Sequence, residues 1–415
     1  MVERLTVGQQ TGGGRFCAVK PRTRLLYFAL VSLAAIPLGC GEEDSPAGPG
    51  PAGTSPTITS VLPPGASPGI HVKILGSNFG GTQGNGGVRF GGKEAVIDSW
   101  GNTEINCVVP PGFSPGSGLD VTLTTSAGES SSWQIDITPP NTYMVTLPAD
   151  MDMYPCWGPG DEWIYYCSTR DAGEWNIWRI PAIGGVPQQV TFDPTSDLFP
   201  SVNFSSGELA WSSERKFSGQ NPEGDYEIFC GFPICTDPGT VCTTTMATSN
   251  ESRDLYPAWA RTVYAGVSMA YAWEQVDQNG HFVAWKIMLS TGVGPVELTE
   301  GLQPSFSGDG EWIVYSHDAN IYKIRTDGGV PVQLTATGQD TRPHWGCGDD
   351  KIVFERFNDG NFPDIFIMNS DGTGAQPIVS TRGDEYWPRW SSDCSKVVYY
   401  ALVSGRYNIY VYVVP

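Results

Sequence analysis

The strongest constraint on this chain is a marker that recurs six times between residues 154 and 390. It reads as an aromatic or polar residue, then Pro, any residue, and Trp or Phe. The clear copies are Tyr154-Pro-Cys-Trp157, Tyr256-Pro-Ala-Trp259, Gln303-Pro-Ser-Phe306, Arg342-Pro-His-Trp345 and Trp387-Pro-Arg-Trp390. Phe199-Pro-Ser-Val202 is a weaker copy. The six prolines stand at 155, 200, 257, 304, 343 and 388, separated by 45, 57, 47, 39 and 45 residues. A unit of that length cannot bury both of its faces alone, so copies must stack on one another.

Each copy continues in the same way. A turn leads to a second apolar strand, as in Ser307-Gly-Asp-Gly310 before Trp312-Ile-Val-Tyr315. A third strand alternates, as in Asn320-Ile-Tyr-Lys-Ile324 or Asn408-Ile-Tyr-Val-Tyr412. A Gly-rich turn then precedes a fourth strand, as in Val332-Gln-Leu-Thr335. Four strands per repeat of this length describe a propeller blade. Marker Trp and Phe side chains are expected between neighbouring blades. The sixth copy stops at Pro415 after three strands, so a strand from the other end of the domain must complete it. Tyr143-Met-Val-Thr-Leu147 stands at the right distance before Pro155, and closing the ring with it leaves no exposed edge.

Composition agrees. The 51 Gly and 33 Pro suit many turns and few helices, while 14 Trp and 12% aromatic residues demand a packed core. Residues 56–138 add seven short alternating strands, beginning with Thr57-Ile-Thr-Ser-Val61 and ending with Trp133-Gln-Ile-Asp-Ile137. That spacing predicts a β-sandwich. The fold class is therefore all-β: an immunoglobulin-like β-sandwich followed by a six-bladed β-propeller over 142–415.

The repeats resemble the TolB-type, WD40-like propeller family, and Pro304-Ser-Phe-Ser-Gly-Asp-Gly310 through Leu334-Thr335 is the best copy of its blade. In TolB an α/β domain precedes the propeller, whereas a sandwich precedes it here. The sandwich in turn resembles an IPT/TIG immunoglobulin-like domain. The likeness is carried by Pro56-Thr-Ile-Thr-Ser-Val-Leu-Pro63, Gly76-Ser-Asn-Phe-Gly80, Val88-Arg-Phe-Gly-Gly92 and Val108-Val-Pro-Pro-Gly112. That resemblance implies a spacer or binding module and no chemistry.

The first 39 residues read as an export signal: five basic residues against Glu3, then the apolar run Leu25 to Leu38. Leu38-Gly39-Cys40 resembles a bacterial lipobox, which makes Cys40 the candidate lipidated residue and places the chain at the cell envelope, periplasmic or surface-exposed. Residues 40–55 are small, polar and Pro/Gly-rich, as a flexible tether is. The net charge of −20 becomes −24 without the signal, with 19 Lys+Arg against 43 Asp+Glu. Such a surface repels phosphate backbones and excludes nucleic acid as a partner.

Candidate functional residues are few. Asp152, Asp197, Asp254, Asp340, Asp384 and Glu385 recur just before the markers, so they share one propeller face. They are a candidate calcium or basic-partner surface, or else carboxylates that accept backbone N–H groups in the loops between blades. Cys230, Cys235 and Cys242 crowd one insertion in the second repeat and are candidates for a local disulfide. The four His show no metal-ligand spacing, and no catalytic motif or cofactor fingerprint is expected. Gly65-Ala-Ser67-Pro-Gly69 and Gly112-Phe-Ser114-Pro-Gly116 match a hydrolase pattern, but no helix follows either, so both read as turns. The expected function is a non-enzymatic, envelope-tethered scaffold that binds a protein partner through a propeller face. The alternatives are a carbohydrate-binding surface module and a propeller enzyme, lyase or hydrolase, acting at the central channel.

Overall fold

The computed structural model describes residues 54–415, apart from 148–149, 171–172, 193, 217–220, 222–223, 233–243, 347, 359–361, 382 and 404, and the side chain of Ser117. Cys40, Cys235 and Cys242 lie outside the described residues. Among the described residues the one helical element is a single turn, Pro159–Asp161. None forms a helix long and apolar enough to cross a membrane.

Five four-stranded sheets follow the first five markers, and the sixth marker begins four strands that form one end of a larger sheet. Their inner strands are Asp152–Trp157, Asp197–Val202, Asp254–Tyr264, Leu302–Phe306, Asp340–Trp345 and Glu385–Trp390. Each marker thus forms the innermost strand of its blade, with the later strands stepping outward. The marker aromatics fill the seams. Trp345 of blade five packs with Val314 and Ile321 of blade four, and Trp390 of blade six packs with Val353 and Ile365 of blade five. A propeller core is this set of seams, because each two-faced sheet is buried only by its neighbours.

The ring closes as the repeats require. Thr142–Met144 pairs antiparallel with the third strand of blade six, Arg406–Val413, setting Thr142 opposite Tyr412 and Met144 opposite Tyr410. The match extends to side chains. Thr191 and Thr335 end their blades with Oγ1 accepting the N–H of Ile177 and Ile321, at 2.9 and 3.0 Å. Thr146 does the same for Ile409 at 3.0 Å, across 263 residues of sequence.

The sandwich has one sheet of Thr57–Leu62, His71–Ser77, Glu104–Val108 and Val96–Trp100. Its second sheet runs from Trp133–Ile137 through Gly116–Thr125 to Gly87–Phe90. Inward-facing Val72, Ile74, Phe90, Ile105, Val121 and Leu123 fill the space between them, each at most 2% exposed. Gly76 is required where it stands, since a Cβ there would lie 2.0 Å from the Thr57 carbonyl oxygen and 2.5 Å from the Phe79 ring.

One feature goes beyond the expected two-domain layout. The short strand Gly65–Ala66 pairs with Asp136 of the sandwich on one side and with Tyr143 and Met144 of the closing strand on the other. Blade six and the second sandwich sheet are therefore one ten-stranded sheet. This explains the first hydrolase-like match: Ser67 is fully buried, and its N–H donates to the Thr142 carbonyl at 3.0 Å. The motif is the joint between the domains.

Candidate functional site

The axis is built from the inner strands. At the first marker residue of every blade the backbone enters the left-handed region: Tyr154, Phe199, Tyr256, Gln303, Arg342 and Trp387 all have φ between 51° and 61°. The pairing with the second strand slips at each of these points. This is a β-bulge repeated six times, and a bulge re-aims a side chain. Non-Gly residues adopt this backbone rarely and at some cost, so six aligned copies mark a constraint of the architecture. The following prolines, all buried, lack the N–H that the broken ladder would leave unpaired.

These bulges gather four aromatic rings on the axis. Tyr154 and Phe199 lie 4.6 Å apart, Phe199 and Tyr256 4.4 Å, and Tyr154 and Trp387 5.2 Å. Arg342 joins the layer 5.8 Å from the Trp387 ring and is paired with Glu355 of the second strand of blade five. Glu355 also accepts the Trp387 N–H at 2.6 Å. Burial raises the pKa of its carboxyl, and the Arg342 charge opposes that rise. This layer is a plug that separates two ends of the axis.

The upper end, where inner strands begin, holds the recurrent acids. The structure places them under the surface instead of on a binding face: Asp152, Asp197, Asp254 and Asp340 are 0% exposed and Glu385 1%. Arg170 donates to both oxygens of Asp152, at 3.0 and 3.1 Å. Arg356 does the same for Asp340 at 2.6 and 2.9 Å. Asp197 accepts from the Trp211 indole at 3.1 Å and from Arg215 at 3.3 Å. Asp254 accepts from Asn250 and is pushed up to about 8 by burial, with Glu227 adding to the rise. Glu385 binds the Thr381 hydroxyl and is pushed up to about 7, again by burial. Asp384, half-buried, accepts from the Tyr386 hydroxyl at 3.2 Å. The cause is geometric. An acid two residues before the bulge sits in the ladder beside the second strand, where it must be paired. No group of three or more His, Cys, Asp or Glu side chains suited to a metal ion occurs among the described residues.

Above these acids the surface exposes several aromatic side chains. Strands alternate in direction, so the loops before each third strand and before each inner strand return to the upper end. Phenylalanines are exposed at three of these places: Phe192 and Phe362 in loops, 75% and 53% exposed, and Phe282, 56% exposed, as the first residue of the third strand of blade three. A groove of about 400 Å³ runs beside Phe282 and Trp285 toward His317 and Asp318.

The lower end is different. A chamber of about 70 Å³ lies against the other side of the plug. Cys156, Ser201, Ala258, Ser305, His344 and Arg389 line it, and each is the variable residue of its marker. Several of them join neighbouring blades. Ser201 Oγ accepts the Trp259 N–H at 3.2 Å, Ser305 Oγ the Trp345 N–H at 3.1 Å, and His344 Nδ1 the Trp390 N–H at 3.2 Å. His344 is thereby held neutral: burial first, then Arg389 and Arg261, set its pKa well below the ordinary value. Arg389 cannot accept a hydrogen bond. Its guanidinium lies 4.4 Å from the Trp387 ring and donates to the Pro388 carbonyl at 2.9 Å. Burial lowers its pKa to about 10. Arg261 reaches the chamber from the long first strand of blade three and stacks 4.8 Å from the Phe204 ring. Burial lowers its pKa too.

Sequence reasoning missed this chamber. The marker was visible, but its variable residue looked like the uninformative one. Cys230 also departs from expectation. It is a free, buried thiol on the third strand of blade two, in a cluster with Met269 and Tyr271 of blade three, and burial pushes it up to about 12. Alternation along the strand turns it into a seam.

Comparison with known proteins follows the same division. Residues 56–142 match the IPT/TIG domain family. No curated protein matches the chain. Among solved structures, a putative TolB from Agrobacterium tumefaciens is similar at 18% identity and a TM-score of 0.46, covering 73% of this chain and 100% of that one. An auxiliary nutrient binding protein from Bacteroides thetaiotaomicron is similar at 9% identity and a TM-score of 0.45, covering 87% and 98%. An oligogalacturonate lyase from Vibrio parahaemolyticus is similar at 10% and 0.44, covering 66% and 93%.

Proposed function

We propose that this chain is a non-enzymatic binding protein of the bacterial envelope, anchored by lipid on Cys40, which offers the upper propeller face to a protein partner. The observation that carries this reading is the exposure of Phe192, Phe282 and Phe362, from three blades, at one end of the axis. Exposed benzyl groups are unfavourable in water, and aromatic residues are enriched where proteins meet. The sandwich supports the same role. It is fused to blade six through one continuous sheet, so it presents the propeller as a rigid body beyond the tether.

Two facts favour binding over catalysis at the channel. The Cys156 thiol is pushed up to about 12 by burial, which leaves it a poor nucleophile at neutral pH. The His344 nitrogen that would take a proton already accepts the Trp390 N–H. The groove beside Phe282 and Trp285 favours a second reading, a carbohydrate stacked on those rings.

The test is capture from intact envelopes with the wild type and with a Phe282→Ser, Phe362→Ser double variant. A protein captured by the wild type and lost by the variant supports the reading. Capture that is absent, or identical for both, overturns it. Glycan binding lost on Trp285→Ala would favour the second reading instead. Separately, Cys40→Ser should leave the membrane fraction; a variant that stays there refutes the anchor.

A further inference from the structure

The lower chamber presents an electrostatic imbalance. The chain carries a net charge of −20, yet two guanidinium groups, Arg261 and Arg389, line one small space. Among the described residues no Asp or Glu lines it with them. Among the described residues neither arginine has a carboxylate partner within ion-pair distance, whereas Arg170, Arg215, Arg342 and Arg356 all do. Asp161 and Asp349 act on Arg261 only at longer range. Their oxygens are occupied by the loop N–H groups of Ser392 and of Gly308 and Asp309.

An unpaired donor adds to the imbalance. Nη2 of Arg261 is buried without a hydrogen-bond partner, and Arg261 lines the chamber. Buried donors are nearly always satisfied in native proteins, and buried cations are nearly always paired. The neutral His344, with Nδ1 accepting from Trp390, carries its remaining proton on Nε2 and is another donor. The chamber therefore consists of positive charge and N–H groups set among aromatic walls.

We propose that this chamber binds one small organic carboxylate, its oxygens taken by Arg261 and Arg389 and its short apolar body packed on the Trp157, Phe306 and Trp390 rings. A carboxylate matches the fork of a guanidinium, and the aromatic walls suit a carbon chain better than a fully hydrated anion. A space of about 70 Å³ admits a ligand of a few heavy atoms and excludes a sugar chain. The site lies across the plug from the exposed phenylalanines, so it does not depend on the partner-binding role.

Calorimetric titration of the purified full-length protein with butyrate, acetate, butanol and inorganic phosphate tests the proposal. Saturable one-to-one binding of butyrate is expected, tighter than acetate, with butanol silent. Arg389→Met and Arg261→Met should each weaken it at least ten-fold, and Arg389→Lys should keep part of it. Thermal unfolding of each variant reports that it is folded, and if Arg389→Met is not, Arg261→Met carries the comparison. Binding should be level from pH 6 to 8.5, because the arginines stay charged and His344 neutral throughout. No carboxylate binding, binding that survives both arginine substitutions, or binding of phosphate alone would each overturn the proposal.

Discussion

The two ends of the propeller axis are made from the same six strands and have opposite chemistry. At the upper end acids meet arginines: Asp152 with Arg170, Asp197 with Arg215, Asp340 with Arg356. At the lower end Arg389 and Arg261 meet aromatic rings and, among the described residues, pair with no carboxylate. The contrast shows that blade architecture fixes where a side chain points and leaves its charge free. Where a polar position recurs in most blades and is paired, as with the upper acids, it serves the blade. Where it varies among Cys, Ser, Ala, His and Arg, the blade tolerates variety, and an unpaired charge there calls for a partner from outside.

Four substitutions break or sharpen this comparison. Asp340→Ala should have the largest effect. It removes a buried, doubly hydrogen-bonded partner of Arg356 and should cost about 4 kcal/mol, read as a lower urea midpoint. Glu385→Gln comes next and depends on pH. With the folded pKa near 7 against an ordinary 4.5, the protonated form favours the fold below about pH 4.5. That advantage, roughly 3 kcal/mol, is lost as pH rises through about 7. Thr381, Asp364 and Asp384 face this group, and both acids oppose its ionisation. Gln at 385 should therefore stabilise the protein at pH 8 and make little difference at pH 4.5; equal effects at both would contradict the assignment. Ser305→Ala removes one acceptor from the seam between blades four and five and should cost about 1 kcal/mol in the same assay. Arg389→Met should be the smallest, neutral or slightly stabilising without ligand, since it withdraws a half-buried cation that has no carboxylate partner among the described residues. A loss as large as that of Asp340→Ala would show that Arg389 holds the fold together and would erase the difference between the two ends.

Much of the fold was legible in the sequence. Six prolines at near-regular spacing gave the number of blades, and a missing fourth strand pointed to residues 143–147, which the structure uses from Thr142 onward. The sandwich strands followed from alternation. The site was less legible. The acids were seen to share one end of the blades, but spacing cannot tell a surface carboxylate from one lying under a loop. Arg170 and Arg356, which neutralise two of them, stand 18 and 16 residues further on with no motif to link them. Cys230 was visible as one of three clustered cysteines, yet its strand turns it into a seam. The joint at Gly65–Ala66 was hidden because two residues make too short a strand to show a period.

What the sequence determined by itself was the set of strands, their grouping in fours and the need for closure, because these rest on local periodicity and on turn residues. What only the tertiary structure decided was which polar groups are paired. Cys156, Ser201, Ala258, Ser305, His344 and Arg389 span 233 positions and converge only when the ring closes around its axis. Whether a charge at such a place is satisfied depends on neighbours supplied by other blades, which no single repeat contains.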